Sequence, residues 1–368
     1  MRVKLKDITK FSKGTQINGK NLIDDGAYSY LNGGINPSGK WNEFNVAENT
    51  VTISEGGNSS GYVNYMNEAF WCGAHCYYLY DGPKNSKYLY YALKSQQERL
   101  FRIRSGACMP NIKKSDLGNF IIEYEEDETQ QEEVVKVLEK CELLIEDYNK
   151  KLALLDEAVK ARFVEMFGTL HDNENRFNIV TIEEVCSIIK DGTHQTPHYT
   201  EDKINGYKFL SSKDVMSQKI TWENIKYIPK DLHEKLYASI QPQRNDILMS
   251  KNGVNYGVAA VNDTDEVFDI YVSLALLRPK QLIDPVFFRC VINSIETKRQ
   301  FDMSIKGIGV PNLHLGEIKK TKIILPPMEL QKQFVTFAKQ IDKSRSRIQK
   351  SLEASQELFD SLMQEYFG

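Results

Sequence analysis

Cysteine is scarce in this chain. Six occur in 368 residues, at 72, 76, 108, 141, 186 and 290. They are too few and too irregularly spaced for a disulfide framework, so a reduced cytoplasm is the expected compartment. Long hydrophobic runs are missing as well. No stretch approaches the ~18–20 apolar residues of a membrane span, and no apolar stretch follows the charged Met1–Lys10 segment as it would in a secretory signal. Nor is one sign of charge in excess: 47 Lys and Arg face 50 Asp and Glu, for a net −3. Composition therefore announces no nucleic-acid binder, and any DNA contact falls to local basic patches or to partner subunits. A hydrophobic share of 41% excludes a largely disordered chain. The length suits two or three domains of ~100–200 residues.

Signatures of catalysis are also missing. There is no Asn/Asp-Pro-Pro-Tyr/Phe motif of the amino-methyltransferase kind, and Asn36-Pro-Ser-Gly39 reads as a turn. No Gly-x4-Gly-Lys-Ser/Thr phosphate loop and no Pro-Asp…Asp/Glu-x-Lys nuclease pattern occurs. A binding role is expected, although a site assembled from scattered residues would leave no such signature. Two clusters have metal-like residues. His194-x3-His198 sits in a Gly/Thr/Pro loop without a nearby Cys or carboxylate pair, and Cys72-Gly-Ala-His-Cys76 lacks the second ligand pair a zinc site takes further along the chain. A loop facing DNA and a packed strand are expected there, with no metal and no cofactor in this chain.

What the chain does contain is an internal repeat. Val3-Lys-Leu-Lys-Asp-Ile8 resembles Val180-Thr-Ile-Glu-Glu-Val185, and Lys-(Asp)-Gly-Thr follows each, at 13–15 and 190–193. Tyr28-Ser-Tyr-Leu31 matches Tyr207-Lys-Phe-Leu210, and Gly106-Ala-Cys-Met-Pro-Asn-Ile112 matches Gly307-Ile-Gly-Val-Pro-Asn-Leu313. The halves end alike in Glu165-Met-Phe-Gly168 and Glu365-Tyr-Phe-Gly368. These anchors keep one order while their offset drifts from 177 to 201.

Each half opens with a mixed globular part, 1–125 and 169–325. Strands are expected at 207–210, 246–249, 268–277 and 322–325, and a helix at 284–301 with a counterpart near 84–103. Each half closes with one long helix, 126–168 and 326–368. In the first, the apolar seam runs Val134, Leu138, Cys141, Ile145, Tyr148, Leu152, Leu155, Val159, Arg162 and Met166, in alternating steps of four and three. In the second it runs Leu330, Phe334, Phe337, Ile341, Arg345, Ile348, Leu352, Ser355, Phe359, Leu362 and Tyr366, with one extra step of four. Pro326-Pro327 opens the second helix, and Gly168 and Gly368 stand where caps belong. A helix of ~40 residues is ~60 Å long. The first helix leads straight into the second globular part, so a short link lets the second helix bury its seam only by running back beside the first. The fold class is therefore α+β: two mixed α/β domains joined by two long antiparallel coiled-coil helices, with a pseudo-twofold internal repeat. Pairing of both helices with another copy of the chain is the alternative.

Charge is unevenly spread. Residues 1–125 carry 15 basic and 12 acidic groups, 126–168 carry 6 and 12, and the other two segments balance. The acidic first helix is expected to solvate a coiled coil, and to point away from any duplex or toward a basic partner. Two similar but unequal heads on a stiff spacer suit duplex DNA, whose two-headed readers bind half-sites about one turn, ~34–36 Å, apart. Unequal heads would read a bipartite, asymmetric target. Two other readings are a two-headed coiled-coil scaffold joining proteins without DNA recognition, and an enzyme with an unrecognised site in one head.

Candidate DNA contacts are loops that combine hydrogen-bond donors with small residues. In the second head these supply Lys190, His194, Thr196, His198, Lys213, Lys251, Asn252, Asn255 and Tyr256. The lysines suit phosphate or guanine, and the asparagines have the amide geometry for adenine. In the first head the parallel loops supply Asn32, Asn36, Asn58 and Tyr62. A basic run of Lys94, Arg99, Arg102 and Arg104 corresponds to Lys298, Arg299 and Lys306 in the second, and each group suits a phosphate track.

Some of these residues also carry a family likeness. Lys322-Ile-Ile-Leu-Pro-Pro-Met-Glu-Leu-Gln-Lys-Gln333, opening a long helix, resembles the start of the conserved helical regions in the specificity subunit of type I restriction-modification systems. Asp191-Gly-Thr-His-Gln-Thr-Pro-His-Tyr199 resembles the opening loop of that family's target recognition domains. Gly61-Tyr-Val-Asn-Tyr-Met-Asn-Glu-Ala-Phe-Trp71 and Gly307 through Leu313 fit as well. The likeness covers the whole chain: recognition domain 1–125, spacer helix 126–168, recognition domain 169–325, spacer helix 326–368. The first half departs from the pattern, with YEEDETQQ at 124–131 where the second has LPPMELQK. The resemblance implies a non-catalytic DNA-reading subunit. It implies docking on the helices of two modification subunits that methylate adenine with S-adenosylmethionine, and through them of ATP-dependent, magnesium-using restriction subunits.

Overall fold

Ile247–Ser250 is a short apolar run, the pattern of a strand covered on both faces, and its counterpart Thr50–Ser54 alternates Val and Ile with small hydroxyl residues that are themselves buried at Thr52 and Ser54. In a computed structural model of the chain, which describes residues 1–106, 108–170, 172, 177–305 and 311–368, each is an interior strand of a four-stranded sheet. Lys306 and Gly307–Val310, which include a candidate contact and part of a repeat anchor, lie outside the described residues.

The first head runs β1 (Arg2–Lys4), α1 (Leu5–Ile8), β2 (Lys10–Lys13), β3 (Tyr28–Leu31), β4 (Gly39–Trp41), β5 (Thr50–Ser54), β6 (Val63–Met66), β7 (Phe70–Cys72), β8 (Cys76–Tyr80), α2 (Ser86–Lys94), α3 (Gln97–Arg102), α4 (Lys114–Gly118) and β9 (Ile121–Glu123), and leads into α5 (Glu128–Phe167). The second repeats that order as β10 (Asn178–Thr181), α6 (Ile182–Val185), β11 (Cys186–Asp191), β12 (Tyr207–Leu210), β13 (Lys226–Ile228), an inserted α7 (Lys230–Tyr237), β14 (Ile247–Ser250), β15 (Ala259–Val261), β16 (Phe268–Ile270), β17 (Leu274–Pro279), α8 (Pro285–Ile292), α9 (Ile295–Ser304), α10 (Leu315–Lys320), β18 (Lys322–Leu325) and α11 (Met328–Phe367).

The sheets repeat too. In the first head β1 pairs with β9, and the sheets β2-β8-β5-β6 and β4-β3-β7 follow. In the second, β10 pairs with β18, with sheets β11-β17-β14-β15 and β13-β12-β16. The parallel pairs, β3 with β7 and β12 with β16, are equivalent. Registers align as well: Lys13 faces Tyr77 and Ser54 faces Cys76 as Asp191 faces Ala275 and Ser250 faces Leu274. The drift in the repeat offset arises in the long β12–β13 loop and at α7.

Two predicted elements are split. The expected strand 268–277 is β16 and β17 in different sheets, joined at Tyr271–Ser273. The expected helix 284–301 is α8 and α9. It breaks because the Asn293 amide turns aside to bond both N (2.8 Å) and O (2.9 Å) of Ala259 on edge strand β15, and Ser294 then caps α9. The helix expected near 84–103 is likewise divided into α2 and α3. There Gln97 accepts from Val63 N (3.0 Å) and Lys94 donates to Val63 O (3.2 Å), covering the equivalent edge.

By contacts the chain falls into two units, Met1–Lys151 with Ile348–Gly368, and Leu152–Arg347. In the first, Val135 and Leu138 near the start of α5 share a core with Met363 and Phe367 at the end of α11. In the second, Phe167 at the end of α5 shares a core with Phe334, Val335 and Ala338 at the start of α11. The two 40-residue helices therefore run antiparallel. Along them Leu138 and Phe334 are buried. Val134, Ile145, Tyr148, Leu152, Leu155, Val159, Ile341, Ile348, Leu352, Phe359 and Leu362 are half-buried, as one stripe of a two-helix pair should be. The stripe shifts at its end. The heptad period expects Arg162 and Met166 on it; Met166 does pack against this core, and Phe163 and Phe167 join it, meeting Phe334 at 5.5 and 5.6 Å between ring centroids. A straight helix drifts by ~20° per heptad, which brings the neighbouring positions inward. Gly168 closes α5 at φ +70° and donates to Val164 O at 2.8 Å.

One buried residue recurs at both helix starts. Gln331 Nε2 donates to Pro326 O (2.8 Å) and Leu282 O (3.1 Å), and Gln131 Nε2 to Glu125 O (2.6 Å) and Tyr124 Oη (3.1 Å). The divergent YEEDETQQ boundary thus keeps the same internal clasp.

Candidate nucleic-acid interface

In each head several loops meet at one end of the four-stranded sheet. The Gly-Thr steps after β2 and β11 make the closest approach. A Cβ on Gly14 would lie 1.9 Å from Cys72 O, and one on Gly192 would lie 2.2 Å from Ile270 O, so neither position admits a side chain. The following threonines lock the contact: Thr15 N donates to Cys72 O (2.9 Å) and Thr193 N to Ile270 O (3.0 Å). The loops after β2 and β11 are thereby pinned to the turns before β8 and β17.

The turns after β5 and β14 form the second part. Gly57 and Gly253 have φ of +82° and +85°, and Gly61 and Gly257 have +85° and +84°. Gly57 N donates to Pro110 O (2.9 Å) and Gly253 N to Pro311 O (3.0 Å), while Ile112 N donates to Glu55 O and Leu313 N to Lys251 O, both at 2.9 Å. In the first head the β3–β4 loop joins them. Asn32 Oδ1 accepts from His75 N (3.3 Å), and Gly33 O accepts from Ser59 Oγ (2.6 Å) and from Ser54 Oγ. In the second head Ser212 N donates to Ser273 Oγ (3.0 Å), which brings in the β12–β13 loop.

Charges at this end are paired across strands. Lys13 Nζ lies 2.7 Å from Glu55, whose other carboxylate oxygen lies 3.4 Å from His75 Nδ1. In the second head Lys251 Nζ lies 2.6 Å from Asp191 Oδ1, and His194 Nε2 lies 3.5 Å from Asp191 Oδ2. Beneath the first cluster Tyr77 donates to Ile112 O at 3.2 Å. Burial, with Glu55 adding to it, pushes the Tyr77 phenol up to about 12, so it stays a neutral donor.

The candidate residues fall into three groups. Asn36, Asn58, Lys190, His194, Thr196, His198, Lys213 and Asn255 are exposed, and Asn32, Tyr62 and Asn252 are half-buried in the same loops. Arg104 Nη1 reaches Asn58 O at 3.4 Å and so belongs with them. A second group is turned inward. Lys251 is buried with Asp191, and Tyr256 is buried with its hydroxyl donating to Asp302 at 2.6 Å. Lys298 pairs with Asp302 at 2.8 Å and covers the Tyr256 ring, as Lys94 covers Tyr62. Asp302 is held below the usual carboxylate range by the Lys298 and Tyr256 hydrogen bonds. A third group lies elsewhere: Arg99 and Arg102 line a shallow pocket with Asp116 and Asn119, and Arg299 lines a cavity of about 410 Å³ with Phe163 and Arg289.

Residue type alone missed Lys13, Glu55, His75 and Asp191. The signal was present in the repeat, because Lys13-Gly-Thr aligns with Asp191-Gly-Thr, and Ser54-Glu55 aligns with Ser250-Lys251. The two metal-like clusters do not converge. Cys72 and Cys76 are buried and His75 is exposed and turned to Glu55. The Cys72 thiol is driven far up by its hydrogen bond to Cys76 and by burial. Among the described residues no group of three or more His, Cys, Asp or Glu is placed to hold a metal ion.

Comparison with known proteins gives one consistent result. The family model described as a type I restriction modification DNA specificity domain matches residues 1–156 and 174–356. A putative type I specificity subunit of Mycoplasma pneumoniae is 36% identical over 149 residues, 40% of this chain and 40% of that one. The specificity subunit of the type I restriction enzyme MjaVIII of Methanocaldococcus jannaschii is 25% identical over 272 residues, 69% of this chain and 63% of that one. The chain thus spans between two fifths and just under two thirds of the length of these relatives. In fold, it is similar to the crystal structure of a type I restriction-modification S subunit from M. genitalium, with a TM-score of 0.68 at 19% identity, covering 100% of this chain and 96% of that one.

Proposed function

Because the chain belongs to the family of the type I restriction modification DNA specificity domain, we propose that it is the DNA-reading subunit of such a system. Its two heads read two different half-sites of one bipartite, asymmetric target. The observation that carries this reading is the repeated loop end: one backbone framework in both heads, presenting Asn32, Asn58 and Arg104 in one and His194 and Asn255 in the other. A shared framework with different donors suits two half-sites of different sequence.

In this reading the recognition domains are 1–125 and 169–325, and 126–168 and 326–368 are the spacer helices. The helices dock two methyltransferase subunits, and restriction subunits join through them. S-adenosylmethionine, ATP and magnesium belong to those partners, this chain is non-catalytic, and the complex works in the cytoplasm. No helix among the described residues is long and apolar enough to cross a membrane.

Selection from a random duplex pool tests the proposal, with the chain alone and co-expressed with a methyltransferase subunit. Enrichment of one split motif with two unlike halves is expected. No enrichment in either condition would leave a protein-joining scaffold as the better account.

A further inference from the structure

We propose that His75 and His194 are equivalent DNA-contacting side chains, one per head, each aimed by a carboxylate that a lysine from across the intervening strand, β8 or β17, neutralises. The inference rests on the heads binding DNA as proposed above. Strand register makes Lys13 equivalent to Asp191 and Glu55 equivalent to Lys251. The ion pair is thus kept while its polarity is reversed: the carboxylate stands on the β5 side in one head and on the β11 side in the other. A clasp that only ties two strands together accounts for this pair and nothing more.

The third member needs a separate reason. In each head a histidine approaches the second oxygen of the carboxylate, at 3.4 and 3.5 Å. The two histidines come from non-equivalent loops, His75 from the turn before β8 and His194 from the loop after β11. Their side chains are 60% and 74% exposed. His75 Nδ1 is within hydrogen-bond reach of Glu55, whereas His194 Nε2 stands only at ion-pair distance from Asp191, and among the described residues the other ring nitrogen of each has no hydrogen-bond partner. The backbone of His75 is fixed, since its N–H donates to Asn32 Oδ1 and its carbonyl accepts from Glu55 N at 2.8 Å.

An imidazole held by one nitrogen offers the other to a base edge or a phosphate oxygen in a set direction. A carboxylate at a DNA-facing end would repel phosphate, and the paired lysine cancels that charge. Glu55 and Asp191 are therefore positioning residues, and the histidines are the contacts. The arrangement reaches the same outcome twice from different loops, as a functional requirement would demand and a shared scaffold would not.

The test uses the full chain co-expressed with its methyltransferase subunit, selected against a random duplex pool and then titrated on the enriched split duplex. His75→Ala should weaken binding about five-fold or more and flatten base preference in one half-site only. His194→Ala should do the same in the other half-site only. Melting temperature should be unchanged in both, because the replaced side chains are exposed. Glu55→Gln should weaken the same half-site as His75→Ala, and the double variant should be no weaker than His75→Ala alone. The proposal is overturned if the histidine variants leave both half-sites intact, if binding falls only together with the melting temperature, or if the Glu55 and His75 effects add. If the unaltered chain enriches no split motif, the DNA-reading function fails instead.

Discussion

The Lys251 ammonium sits 2.6 Å from Asp191 with its side chain 5% exposed, while Lys13, which holds the equivalent bond to Glu55, is 44% exposed. Depth decides what each pair contributes. Removing one partner of a buried pair strands a charge and costs ~3–5 kcal/mol, whereas a solvated pair contributes ~0–1 kcal/mol. Asp191→Asn, which strands the buried Lys251, should therefore lower unfolding stability by about 3 kcal/mol in urea titration, and Glu55→Gln, which strands the exposed Lys13, by about 1 kcal/mol or less. Equal losses would mean that the two clasps are not the same device at different depths. The Lys251 side chain also marks what residue type cannot tell: a lysine followed by Asn-Gly-Val-Asn reads as a phosphate contact, but only strand register reveals that Asp191 has already claimed it.

Among the elements, the long helices were the most legible. Their 3.5-residue apolar period runs through 40 residues without glycine or proline, so length, partner and direction all followed. Leu152→Asp and Leu352→Asp place charges on the half-buried stripe and should lower the melting temperature. Leu154→Asp, on the exposed face beside them, should leave it unchanged. A melting curve that treats Leu152 and Leu154 alike would contradict the pairing. Shorter elements were less legible because distant partners decide them. Nothing local to 284–301 says that Asn293 will leave the helix to cover β15, and nothing local to 268–277 says that its two ends join different sheets. The loop cluster had the same difficulty. Asn32, Asn58 and His194 could be picked by type, but His75 enters only through its bond to Glu55, which stands 20 residues away.

For the whole molecule, the repeat was visible in a few anchors and extends to every strand, sheet order and register. The inserted α7 and the longer β12–β13 loop explain why the front of each half aligned poorly. Duplication followed by divergence of loop residues on one framework suits a protein that reads two different sequences, and the continuous helices would set the distance between them. Inserting one heptad in each helix should widen the gap between half-sites and leave their bases unchanged. The most direct measurement is a methylation map of the genome in cells that express the chain with its methyltransferase subunits. One asymmetric split motif carrying methyladenine is predicted, with the same halves at a wider gap after the heptad insertions. An unmodified genome, a continuous motif, or half-sites whose bases change with helix length would contradict the account.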